Sequence, residues 1–97
     1  MFGRSEEVRV TEPHNHSPDE AIKRISSFEE MFNKYGVKVN WSGHKAALKG
    51  PVSGSVDVTS RDVTVVVTLG MMARAAGVKG DKLAASIRKR LRAALDE

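Results

Sequence analysis

Residues 37–69 read VKVNWSGHKAALKGPVSGSVDVTSRDVTVVVTL, and the spacing of apolar side chains in this stretch decides the fold class. Successive side chains of an extended strand point to opposite faces, so an apolar period of two marks a strand covered on one side. Val37, Val39 and Trp41 share one face, with Lys38 and Asn40 on the other. Ser42-Gly43 makes a tight connection to the next run, in which Ala46 and Leu48 take the buried face while Lys45 and Lys49 point to water; the two runs read as a hairpin. Gly50-Pro51 interrupts, because proline has no N–H to give a central ladder. Residues 52–58 resume the alternation, with Gly54, Val56 and Val58 opposite Ser53, Ser55 and Asp57. After a turn over 59–62 comes the clearest strand, Val63, Val65, Val67 and Leu69 backed by Thr64, Val66 and Thr68.

Upstream, residues 7–11 alternate around Val8 and Val10 and predict a short strand. Ser17-Pro18-Asp19-Glu20 then reads as a helix start: Ser17 as N-cap, Pro18 at the first helical position and Glu20 placed to close a capping box. Ala21, Ile25, Phe28, Phe32 and Tyr35 recur at spacings of three and four, which puts them on one stripe of a single helix that Gly36 ends in the left-handed region. Downstream, residues 70–80 form a connection of undetermined shape containing Met71 and Met72. Asp81 then caps a helix over 82–95, with Leu83, Ala84, Ile87, Leu91, Ala94 and Leu95 on one apolar arc. The predicted architecture is α+β: a two-layer sandwich, an antiparallel sheet of four or five strands with two helices on one face, in the order β-α-β-β-β-β-α. One domain over 7–96 is expected, after a flexible N-terminus of residues 1–6.

Composition agrees with one ordinary core. The chain has 97 residues, 40% hydrophobic and 29% charged, which is outside the low-hydrophobicity regime of disordered chains. It has no cysteine, which excludes a disulfide framework and thiolate zinc sites and fits a reducing compartment, so a cytoplasmic location is expected. Arg4, Glu6, Glu7 and Arg9 near the start leave no apolar run for a signal peptide, and no stretch approaches the roughly 20 apolar residues of a membrane-spanning helix. The net charge of +4 is concentrated at the C-terminal end, where Arg74, Lys79, Lys82, Arg88, Lys89, Arg90 and Arg92 outnumber Asp81, Asp96 and Glu97.

Four constellations carry chemistry. His14-Asn15-His16, with His44 brought near, would offer three nitrogens to a metal, but the sequence supplies no carboxylate to orient them, so neither metal nor cofactor is expected. There is no nucleophile elbow, and Gly77-Val78-Lys79-Gly80 is too short for a phosphate loop; with no catalytic motif, the protein is expected not to be an enzyme. Lys82, Arg88, Lys89 and Arg92 on the last helix are the candidate contacts for a polyanion. They spread widely around the helix and lack an aromatic platform, which argues against nucleic acid. Finally, Trp41, Val65, Met71, Met72 and Ile87 are candidates for a ligand or partner surface, either through the methionines beside the basic helix or as a cavity for a small acyl or hydroxyacyl ligand between Trp41, Val65 and Ile87. A monomer or weak homodimer is expected.

In order along the chain, a strand leading to His14, an Ala21-containing helix, Trp41 followed by Gly43, Val52 and Gly54, and a strand ending in Leu69-Gly70 precede the amphipathic helix of Ile87, Leu91 and Leu95. This pattern, over about Val8 to Leu95, resembles the small polyhydroxyalkanoic acid system (PHA granule region) protein family. Pro51 stands where that family has a glycine and His16 where it has leucine. The resemblance implies association with synthesis, storage or mobilisation of polyhydroxyalkanoate, a reserve polyester held in cytoplasmic granules of bacteria. The implied partners are the granule surface or other proteins of the system. It implies no defined activity and no catalytic residues.

Overall fold

Strands form where the period of two runs and helices where the stripe runs, in the order β1 (Glu6–Pro13), α1 (Pro18–Arg24), α2 (Ser26–Lys34), β2 (Lys38–Ser42), β3 (Lys45–Lys49), β4 (Ser53–Val58), β5 (Asp62–Leu69) and α3 (Gly80–Leu95). The computed structural model describes residues 6–34, 36–50, 52–70, 77 and 79–96, and the side chains of all of these except Glu6, Ser27, Phe28 and Met31. The expected roles of Phe28 and Tyr35 in the helix stripe, and of Met71, Met72 and Val78 after β5, fall outside the described residues.

The five strands make one antiparallel sheet in the order β1-β5-β4-β3-β2. Strands β2 to β5 follow one another as a meander joined by short turns, while β1 returns to pair with β5 along its whole length, Val8 opposite Val67 and Val10 opposite Val65. Inward positions are buried on β1, β3 and β5 and at Val56 and Val58 of β4, half-buried on β2, and the helices cover this one face. Ala21, Ile25, Phe32, Ile87, Leu91 and Leu95 pack with Val56, Val63, Val65, Val67 and Leu69 in a single cluster. Each fully buried aliphatic side chain contributes roughly 1.5–3 kcal/mol, so this face dominates stability. The other face carries Arg9, Thr11, Lys45, Ser55 and Asp57 in water, with Thr11 and Thr64 hydroxyls bonded across the β1–β5 pair at 3.1 Å.

The helix start is as the sequence predicts. Ser17 Oγ accepts the N–H of Glu20 at 3.2 Å and Pro18 opens α1, while the Glu20 carboxylate pairs along the helix with Arg24 at 3.2 Å. The single helix expected from there to Gly36 is divided into α1 and α2 at Ile25, whose φ of −91° and ψ of 9° leave the helical region. Ser26 and Ser27 follow, and serines compete for backbone hydrogen bonds and so weaken helix continuity. Ile25 itself stays buried, which keeps the apolar stripe intact across the break. At the end of α2, Gly36 at φ 77° donates to Asn33 and Val37 donates back to Phe32, both bonds of a Schellman closure, with Phe32 and Val37 buried against it. Asp81 lies within the first turn of α3 rather than capping it; the N-cap is Lys79, which makes no side-chain cap bond. The carboxylate there still opposes the positive end of the helix dipole.

Inside β4, Gly54 stands on the covered face, where a Cβ would lie 1.9 Å from the carbonyl oxygen of Val66. Only a residue without a side chain fits this close approach of β4 to β5.

Candidate functional site

The inward alternation of β1 does not stop at the core. Val8 and Val10 are followed on the same face by Glu12 and His14, the two buried polar residues among those described. Sequence reading missed Glu12 and singled out His14 only as a candidate metal ligand, because the strand was expected to end at residue 11. The signal was present, since the period of two continues through 14 with polar residues in place of valine.

A carboxylate taken out of water costs several kcal/mol unless it is paired. Glu12 is paired twice. Arg92 Nε donates to its Oε1 at 2.8 Å, and Arg88 Nε lies 3.6 Å from its Oε2. Residues four apart share one face of a helix, so both arginines of α3 arrive over the same point of β1. The Glu12 side chain is 9% exposed, those of Arg88 and Arg92 48% and 64%. The arginines thus form a solvated lid on a buried anion. The hydrogen bond to Glu12 and its charge hold the Arg92 guanidinium further above its already high ordinary value. While Glu12 carries its charge, a raised value in the folded state contributes stability below the unfolded one, and this contribution is lost on the alkaline side in strong alkali.

His14 Nδ1 accepts the backbone N–H of His16 at 2.9 Å. Its proton therefore resides on Nε2, which donates to the carbonyl of Thr59 at 2.8 Å. Thr59 opens the β4–β5 turn: its Oγ1 accepts from the N–H groups of Arg61 and Asp62, both at 3.1 Å, and its own N–H donates to the Asp62 carbonyl. The His16 ring lies nearly parallel to that of His14, with centroids 5.7 Å apart, and its Nε2 donates to the carbonyl of Leu95 at 2.8 Å. Leu95 ends α3, where carbonyls lack helical partners, so His16 satisfies one of them. The whole set is a clasp: β1 holds the β4–β5 turn through His14, the end of α3 through His16, and the middle of α3 through Glu12.

The clasp contains an acid and two imidazoles, the residue types of proton-transfer chemistry, but each is engaged in holding backbone or arginine. The residues singled out by sequence are not brought together elsewhere. His44 is exposed and pairs with Asp19 at 3.0 Å, so the three histidines do not converge, and among the described residues no group of three or more His, Asp or Glu is disposed to hold a metal ion. Trp41 is partly exposed on β2, with its indole N–H given to Glu29 of α2. Val65 and Ile87 are 0% exposed and belong to the core cluster. Met71 and Met72 lie outside the described residues. Of the basic residues on α3, Lys82 and Lys89 are exposed, while Arg88 and Arg92 turn to Glu12. No helix among the described residues is long and apolar enough to cross a membrane.

No curated protein and no solved structure matches the chain. Residues 8–95 match a protein family described as "putative polyhydroxyalkanoic acid system protein", a span that contains Glu12, His14 and His16 of the clasp and all of α3. With nearly the whole chain inside the match, this protein belongs to the polyhydroxyalkanoic acid system family.

Proposed function

We propose that the domain serves the polyhydroxyalkanoate system as a non-enzymatic accessory protein that associates with the surface of the cytoplasmic granule. The observation that carries this reading is the commitment of the inward polar groups. Both ring nitrogens of His14 are bonded, His16 is bonded to the end of α3, and Glu12 lies under two arginines. General acid–base work needs a group free to exchange a proton with a substrate, and a clasp that fastens backbone offers none. What faces outward instead is the basic side of α3, including Lys82, Lys89 and Arg90, all exposed. Polyesters of hydroxy acids end in carboxylates, and an anionic layer attracts a cationic helix face over about a Debye length.

Co-sedimentation with isolated granules tests this. Wild-type protein is expected to pellet with the polymer, and a variant with Lys82→Glu, Lys89→Glu and Arg90→Glu to shift to the supernatant at unchanged melting temperature. Protein that stays wholly soluble in polymer-accumulating cells overturns the reading. The polyanion alternative, nucleic acid, is favoured less because Arg88 and Arg92 are turned toward Glu12.

A further inference from the structure

Each edge of the sheet ends in a strand whose outer N–H and C=O groups are set by the hydrogen-bond phase of the ladder. His14 donates its N–H to Arg61, the residue opposite it when the β1–β5 register is continued by one step. In an antiparallel pair, residues that exchange both bonds alternate with residues that exchange none. Val8, Val10 and Glu12 therefore bond β5, and Glu7, Arg9 and Thr11 aim their N–H and C=O groups away from the sheet. The same phase runs across it, since Thr59 donates to Asp62 and Val58 to His44. Pro13 falls on an outward position, where its missing N–H costs no ladder bond. Among the described residues no strand pairs with this edge. The opposite edge is poorer: β2 is shorter, and the N–H of Val37 just before it is already given to Phe32.

We propose that the outer edge of β1 joins a second copy of this chain, antiparallel about a two-fold axis at Val8, to make one continuous ten-stranded sheet. The charges select this register. About Val8, Glu7 stands opposite the partner's Arg9 and Arg9 opposite the partner's Glu7, both with exposed side chains on the open face. Both are outward-bonding positions, so the backbone pairs where the charges attract. About Arg9 or about Glu7, like charges would face each other. About Val10, Glu7 would meet the partner's Pro13, which has no N–H. Glu7 and Arg9 are 3.5 Å apart within one chain, at 56% and 62% side-chain exposure, and a partner strand offers each a second opposite charge.

The covering helices leave room for this union. α3 runs in the same direction as β1, with Arg88 and Arg92 at Glu12 and Leu95 at His16. The four residues from Glu12 back to Val8 span about 13 Å, which a helix covers in about nine residues. The axis at Val8 thus lies level with the first turn of α3. The two copies of the helix extend from it in opposite directions and do not lie side by side.

Sedimentation of the full-length protein at about 100 μM in low salt tests this, with the expected result a dimer that weakens as salt rises. Arg9→Glu places like charges opposite each other twice and is expected to weaken association roughly tenfold. Combining it with Glu7→Arg inverts both charges, restores complementarity and is expected to return association to near the wild-type level. Circular dichroism melts of all three establish that folding is unchanged. A monomer under these conditions, a dimer indifferent to Arg9→Glu, or a double variant as weak as the single one overturns the proposal.

Discussion

The two halves of the sheet are covered by helices that are held by different chemistry. Over β1, α3 is fastened by polar groups: the buried Glu12 carboxylate under two arginines and the half-buried His16 ring reaching the Leu95 carbonyl, while the buried His14 holds the adjoining turn through the Thr59 carbonyl. On the β2 side, α2 over β2 and α1 over β4 meet the sheet through Ala21, Ile25 and Phe32, while the polar links there, Trp41 to Glu29 and His44 to Asp19, lie toward solvent. Apolar burial is non-directional and tolerates small slides of a helix on a sheet. Buried hydrogen bonds do not, because a displaced helix leaves each of them unsatisfied. The β1 seam therefore fixes where α3 sits, whereas the β2 seam mainly removes area from water.

If apolar burial is common to both seams, truncating one aliphatic side chain in each costs about the same. Ile25→Ala and Ile87→Ala, at 2% and 0% exposure, are each expected to lose about 2–5 kcal/mol in urea unfolding. A much smaller loss at Ile25 would show that the α1–α2 half is loosely packed, and the contrast between the seams would then extend to their oil as well as their polar links.

The polar links separate the seams more sharply. His14→Ala leaves the Thr59 carbonyl and the His16 N–H without partners under a buried side chain, and removes ring volume besides. A loss of about 2–3 kcal/mol is expected, with slower hydrogen exchange no longer seen at Thr59 and Arg61. A loss below about 1 kcal/mol would mean that water replaces the ring and that the clasp does not hold the turn.

How far these features could be read from the sequence follows from the range of the signal that marks each. The meander and the amphipathic α3 were legible because Val37 to Leu69 and Leu83 to Leu95 carry their own periodicity, which local covering by a second layer must satisfy. The helix start at Ser17 was legible because capping is settled within four residues. The division at Ile25 was not, since the stripe continues unbroken across it and only the backbone departs. The clasp was hidden for a different reason. Glu12 and His14 become tolerable inward residues only through partners distant in sequence, Arg88 and Arg92 for one and Thr59 for the other. The basic residues of α3, which sequence groups together as candidate polyanion contacts, are divided: among the described residues Lys82 and Lys89 make no link to β1, while Arg88 and Arg92 are drawn to a carboxylate some eighty positions away.

The smallest expected effect tests the contrast from its other side. His44 and Asp19 make a contact that looks on paper like those of the clasp, an imidazole nitrogen 3.0 Å from an oxygen, yet the two side chains are 49% and 86% exposed. Water solvates each partner nearly as well as the other does, and salt screens what attraction remains. His44→Ala is therefore expected to change stability by less than about 0.5 kcal/mol, against the loss several times larger at His14. The distance from ring to acceptor is nearly the same in the two cases, so burial alone separates them. Equal losses at His14 and His44 would remove the distinction between the two seams and leave apolar packing as the force that positions both.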